Sequence, residues 1–78
     1  MTTIESIRET VAAVALAPLP EDNDASLFDL GVLDSFALLS LVQRLERTLD
    51  VSIPSGEIVP RRFETVARIA ALVDSRRP

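Results

Sequence analysis

Between Ser35 and Leu49 the large aliphatic residues recur with the period of a helix, and no other stretch constrains the fold as much. Counted at about 100° per residue, Leu41, Val42, Leu45 and Leu49 all fall within about 60° of Leu38. A stripe that narrow has to be buried, and the segments available to cover it are helical too. Thr2 with Glu5 fits a capping box that starts a first helix near Thr3. Along it Ile7, Val11, Val14 and Ala15 line up with Ile4, and Pro18 and Pro20 end it. A last helix is expected over about Thr65 to Ser75, capped by Thr65 or Glu64, with Val66, Ile69, Ala70 and Val73 facing inward. Between the second and last helices, Pro54, Gly56 and Pro60 leave room for one short helical turn around Glu57–Val59. No segment alternates with strand period over more than a few residues. The expected fold is therefore all-α: a four-helix bundle of three longer helices and one short one, residues 1–78 forming a single domain.

Residues 18–34 make a long first connection, rich in turn formers yet carrying Leu27, Phe28, Leu30, Val32 and Leu33. A solvated linker would not hold so many large apolar groups, so this loop is expected to pack on the helices, with Gly31 supplying a positive-φ turn. At 78 residues the chain is near the lower size for folding unaided, and without cysteine or histidine it has no disulfide and no thiolate or imidazole metal ligand. Twelve acidic residues against eight arginines, with no lysine, give a net charge of −4, which disfavours nucleic acid as a partner. The start lacks the apolar core of a signal peptide, and "VAAVALA" is far too short to span a membrane. A cytoplasmic, membrane-free protein is expected.

The pair Asp34-Ser35 stands at the entry to the central helix, inside "LGVLDSFALL". Ser35 is a poor enzymatic nucleophile here. The chain has no histidine, lysine, cysteine or tyrosine to serve as its base, and an exposed carboxylate is too weak at neutral pH. The plain reading is that either residue caps the helix. Two features point further. A phosphate on a serine oxygen would be favoured by the N–H groups and dipole at a helix start. Phe36 and Leu39 fall away from the buried stripe, on the side of Ser40, Gln43 and Arg47, as a contact surface would. The alternative for Phe36 is that it folds back under the long loop.

The stretch "LGVLDSFALLSLVQRLERTLDVSIP" resembles the acyl carrier protein family, in which Gly-x-x-Asp-Ser followed by a large apolar residue opens the second helix. The likeness takes in the first helix, the exit at Leu45, Leu49, Asp50, Val51, Ile53 and Pro54, and the closing "FETVARIAALV". It implies an acyl-carrier-like bundle and a 4′-phosphopantetheine arm, moved from coenzyme A onto Ser35 by a phosphopantetheinyl transferase. It also implies that Asp34 assists recognition by that transferase, that the base and Mg²⁺ of the reaction belong to the transferase, and that the carrier itself is not an enzyme. The arm would hold an acyl or aminoacyl group as a thioester, its sulfur imported rather than encoded.

Fatty-acid carriers usually present an acidic second helix to basic enzymes, whereas here Glu46 is the one carboxylate between Ser35 and Leu49. The entry and the "EIVPRRFETV" exit look more like discrete carriers of specialised pathways. The expected role is a stand-alone carrier in polyketide or nonribosomal peptide biosynthesis, or alternatively a D-alanyl carrier for cell-envelope modification. Its partners would be an adenylating ligase or acyltransferase and a downstream synthase or transferase, bound transiently by a monomer. Phe36, Leu39 and Gln43 would supply contacts, Arg44 and Arg47 would select acidic surfaces, and Arg61 and Arg62 would extend the rim. An unmodified helical interaction module is the rival from another class. A small DNA-binding domain built on Arg61 and Arg62 is opposed by the acidic balance.

Overall fold

The computed structural model describes residues 3–76. Helix α1 spans Ile4–Val14, α2 spans Ser35–Leu49 and α3 spans Val66–Arg76; two single 3₁₀ turns, Ser55–Glu57 and Pro60–Arg62, lie between α2 and α3. No strand occurs among the described residues. The all-α expectation holds; the short turn expected around Glu57–Val59 is realised instead as two turns that leave out Ile58 and Val59, since Pro60 opens the second and holds Val59 before it extended.

Each helix starts on a side-chain cap. For α1 the cap is Thr3, whose Oγ1 accepts from the Ser6 N–H at 3.0 Å; Thr2, expected in that role, lies outside the described residues. For α3, Thr65 rather than Glu64 is the cap, its Oγ1 accepting from the Arg68 N–H at 3.0 Å. Helix α1 stops at Val14, short of Pro18, because the Leu16 N–H turns away to the Val32 carbonyl (2.9 Å). The chain's first exit is thereby tied to the last residues of the long loop.

Helix α1 packs against both α2 and α3. Ile7 and Val11 of α1, Leu41 and Leu45 of α2, and Ile69 and Val73 of α3 share one core cluster with Phe63, all without solvent exposure. This is the stripe geometry expected of the sequence, and burying each such aliphatic chain contributes about 1.5–3 kcal/mol. Past α2 the chain folds back along it: Val51 and Ile53 are buried, and the Ile53 N–H donates to Glu46 Oε2 at 2.9 Å.

The long loop packs as expected through Leu27, Val32 and Leu33, all buried. Leu30 does not follow: it is 52% exposed. The Leu30 N–H bonds the Ser26 carbonyl and the Gly31 N–H bonds the Phe28 carbonyl, a tight turn that swings Leu30 outward. Arg8 holds the loop's first half, its Nη1 donating to the Pro20 carbonyl (2.8 Å) and to Asn23 Oδ1 (2.9 Å). Asn23 in turn accepts the Ala67 N–H, and the Leu27 N–H donates to the Glu64 carbonyl, so the loop fastens α1 to the start of α3. At the far end, the Glu57 carboxylate accepts from Arg62 and from Arg76 (2.6 Å), closing the 3₁₀ segment onto α3.

Two positive-φ residues bracket α2: Gly31 (φ 73°) before it and Asp50 (φ 53°) after it. A Cβ on Gly31 would meet nothing within 4 Å, so only the backbone conformation disfavours a side chain there. Gly31→Ala is expected to cost about 1 kcal/mol, and Asp50→Gly to stabilise by up to about 1 kcal/mol, opposite shifts readable as urea midpoints. Hydrogen bonds from Arg62, and then from Arg76, lower the Glu57 pKa below its ordinary 4.5. A depressed carboxylate stabilises the fold above the unfolded value and loses that contribution as pH falls through the folded one. Glu57→Gln should therefore lower the urea midpoint at neutral pH and show a shallower decline than the parent chain below pH 4.5.

Candidate functional site

The entry to α2 divides labour between two neighbouring residues. Asp34, in extended conformation, is the cap: its Oδ1 accepts the Ala37 N–H at 2.8 Å, and its carbonyl accepts the Leu38 N–H at 2.8 Å. The choice between Asp34 and Ser35, open in the sequence, thus falls on Asp34. Ser35 becomes the first helical residue, exposed, its hydroxyl without a protein partner among the described residues. The backbone N–H groups of Ser35 and Phe36 belong to the unpaired first turn of the helix and lie beside that hydroxyl.

This arrangement fits a phosphodiester on the serine oxygen. The hydroxyl is free to be substituted without breaking any contact, nothing packs over it, and the adjacent N–H groups favour an anion. It does not fit autonomous nucleophilic attack. Beside it stands Asp34, one of whose oxygens already holds the helix start, and the chain has no histidine or lysine side chain to take the proton. Among the described residues there is no cluster able to hold a metal and no helix long and apolar enough to cross a membrane.

Phe36 is 82% exposed, so it does not fold under the loop; Leu39 is 56% exposed. Phe36, Gln43, Arg44 and Arg47 line one open groove together with Asp34 and Ser40. The opposite wall is the end of α1, Ala13 and Val14, with Leu16 beyond it at 61% exposure. Leu39 lies on α2 outside this groove. Arg61 and Arg62 are not brought to it; they line a separate groove with Arg68 and Ala71, and Arg62 is engaged by Glu57. Sequence reasoning missed the α1 wall. Its signal was Leu16, a large aliphatic residue past the end of the periodic stripe and just before the prolines.

A family model described as a phosphopantetheine attachment site matches residues 5–73. The D-alanyl carrier protein of Lactococcus lactis subsp. lactis (strain IL1403) is 37% identical over 57 residues, 73% of this chain and 72% of the relative. D-alanyl carrier protein 2 of Lactiplantibacillus plantarum is 33% identical over 76 residues, 92% of this chain and 95% of that protein. The D-alanyl carrier protein of Streptococcus pyogenes serotype M1 is 31% identical over 70 residues, 90% and 89% of the two chains. These relatives overturn the expectation of a polyketide or nonribosomal peptide carrier. That expectation leaned on the arginine-bearing second helix and the loop motifs, features that exclude a fatty-acid pattern without choosing among the remaining pathways.

The division between cap and free hydroxyl has a direct test in stability. Asp34→Ala should cost about 1 kcal/mol by loss of the cap. Ser35→Ala should stay within about 0.5 kcal/mol of the parent, as an exposed side chain with no partner does. Urea denaturation of the two unmodified variants measures both.

Proposed function

The chain belongs to the phosphopantetheine-attachment family of carrier proteins, and from that premise we propose that it is a D-alanyl carrier-type protein modified at Ser35. Members of the family take a covalently attached 4′-phosphopantetheine and work with a phosphopantetheinyl transferase and with ligases or transferases. When attached, the group supplies a terminal thiol that holds an acyl or aminoacyl group as a thioester. The chain's own residues do the rest. Asp34 fixes the helix start and leaves Oδ2 without a donor among the described residues, open to the transferase; Ser35 presents the hydroxyl; Phe36 stands out beside it as an apolar contact.

The observation that carries the reading is the uncommitted Ser35 hydroxyl at the start of α2, within a stretch matched by the attachment-site family. The names of the relatives support D-alanine as the cargo; its activation by an adenylating ligase and its use in cell-envelope modification belong to the same proposal. The protein itself is a non-catalytic carrier, since the base for the modification has to come from the transferase. Modification from coenzyme A and ATP-dependent loading, as proposed, support a cytoplasmic place of work.

Incubation with coenzyme A, Mg²⁺ and a broad-specificity phosphopantetheinyl transferase should add one phosphopantetheine per chain, read by intact-mass spectrometry, and Ser35→Ala should abolish it. The modified chain should then take up D-alanine from a D-alanine-adenylating ligase with ATP, in a bond cleaved by hydroxylamine. A natively folded chain that stays unmodified is an interaction module instead, and modification of Ser35→Ala would place the arm elsewhere.

A further inference from the structure

Helix α1 has a groove of its own, lined by apolar Ile4, Ala12 and Leu19 with Glu5, Arg8 and Glu9 beside them. It shares no residue with the groove that begins beside Ser35. At about 100° per residue, Ile4, Glu5, Arg8 and Ala12 cover one flank of α1. The other flank holds Ser6, Thr10 and Ala13, which meet Arg44 and Thr48 of α2. The groove measures about 620 Å³, more than one intruding side chain fills, and its floor is anchored because Ile4 and Leu19 both pack on the core. Its charges are left uncompensated. Arg8, three residues from Glu5 and so within reach as its counter-ion, is drawn off by the loop, donating through Nη1 to the Pro20 carbonyl and Asn23 Oδ1. Among the described residues the carboxylates of Glu5 and Glu9 accept no hydrogen bond and form no ion pair, although Glu9 also borders the groove that holds Arg44. Since Pro20 and Asn23 are both held at that one nitrogen, Glu21 and Asp22 between them are gathered at the same side, exposed. Four carboxylates thus surround the one cation of the lining.

We infer that this α1 groove docks a basic amphipathic helix of a partner protein, its apolar row on Ile4, Ala12 and Leu19 and its cations on Glu5 and Glu9. The apolar strip admits many partners; the unpaired carboxylates choose the sign. They also repel an anionic bilayer or a nucleic acid, which leaves a protein as the occupant. From Ile4 to Ala12 the groove follows α1 for about 12 Å, some two helical turns, so the docked segment is short. The inference goes beyond the carrier reading and does not rest on it. A partner on this flank leaves Ser35 and Phe36 uncovered, and so holds the chain while another protein works at the start of α2. A second copy of this chain is the competing occupant, offering Arg44 and Arg47 beside Phe36. That contact is head to tail: it does not close, it builds open chains, and each addition covers a Ser35.

The test titrates a synthetic amphipathic peptide of about three helical turns, leucine on one face and arginine on the other, into the full unmodified chain, alongside its glutamate counterpart. The arginine peptide alone should bind, more weakly as salt rises, and should shift the backbone amide resonances of residues 4–12 and of Leu19. Glu5→Gln/Glu9→Gln should weaken binding about tenfold, the effect of losing two charge pairs. Asp24→Asn/Asp29→Asn removes the same charge from exposed loop positions and should stay within about twofold of the parent. Urea midpoints confirm that both variants are folded. Binding of both peptides or of neither, equal weakening in the two variants, or shifts centred on α2 overturns the inference. A second arm checks that the flank is separate. Phosphopantetheine transfer to Ser35 should run at the same rate with the arginine peptide saturating as without it, and a rate slowed by the peptide overturns the inference. Should the transferase leave the chain unmodified even without peptide, the carrier reading falls and the titration decides. Concentration-dependent self-association abolished by Glu5→Gln/Glu9→Gln would assign the groove to a second copy and overturn the proposal.

Discussion

The hydrogen bond from the Ala37 N–H to Asp34 Oδ1 is small, about 1 kcal/mol, yet the site depends on where it falls. Had Ser35 been the cap, its oxygen would be tied to the backbone, and substituting it would unseat the helix it starts. With Asp34 in that place, the helix is held by one residue and a free hydroxyl is offered by the next. Two adjacent polar residues, both good caps in isolation, are thus separated into a structural and an available group by a shift of one position. The long loop makes the placement repeatable, since Leu27, Val32 and Leu33 are anchored in the core immediately before Asp34.

The helices were legible because periodicity and burial coincide. The bounds of α2 and its inward residues Leu38, Leu41, Val42 and Leu45 follow from spacing alone. What spacing does not report is long-range pairing. The Leu16 N–H meeting the Val32 carbonyl decides where α1 ends, and no local signal precedes it, so the helix is shorter than its prolines suggest. Leu30 misled for a related reason: hydrophobicity argued for burial, but a turn closed by backbone bonds fixes its direction. At the site, the residue type and motif at Ser35 were readable, and the exposure of Phe36 agrees with its angular position. The α1 wall was not, because a groove between two elements is a property of their packing, which one helix's pattern does not contain. The pathway was illegible for a different reason. Cargo is chosen by enzymes and by the arm, so a departure from one carrier type carries no vote among the others.

Charge in this small protein is organised by neutralisation rather than by sequence proximity. Glu57, the last residue of the first 3₁₀ turn, gathers Arg62 and Arg76, residues well apart in the chain, and Arg8 is absorbed by backbone and amide oxygens of the loop. These cations are structural fasteners. The cations on α2 fasten nothing, and they stand in the same groove as the most exposed aromatic ring. An acidic overall composition therefore hides a cationic, apolar face next to the exposed hydroxyl of Ser35.

The Leu27 carbonyl accepts from both the Val32 and Leu33 N–H groups, so residues 28–31 form a self-closed tip pinched at its base. The pinch isolates the tip mechanically: the backbone that sets the register of Asp34 is clamped before the tip begins and again after it ends. The tip behaves as a cassette, whose exposed residues can be exchanged among carriers, or grafted by an engineer, while the attachment point keeps its place.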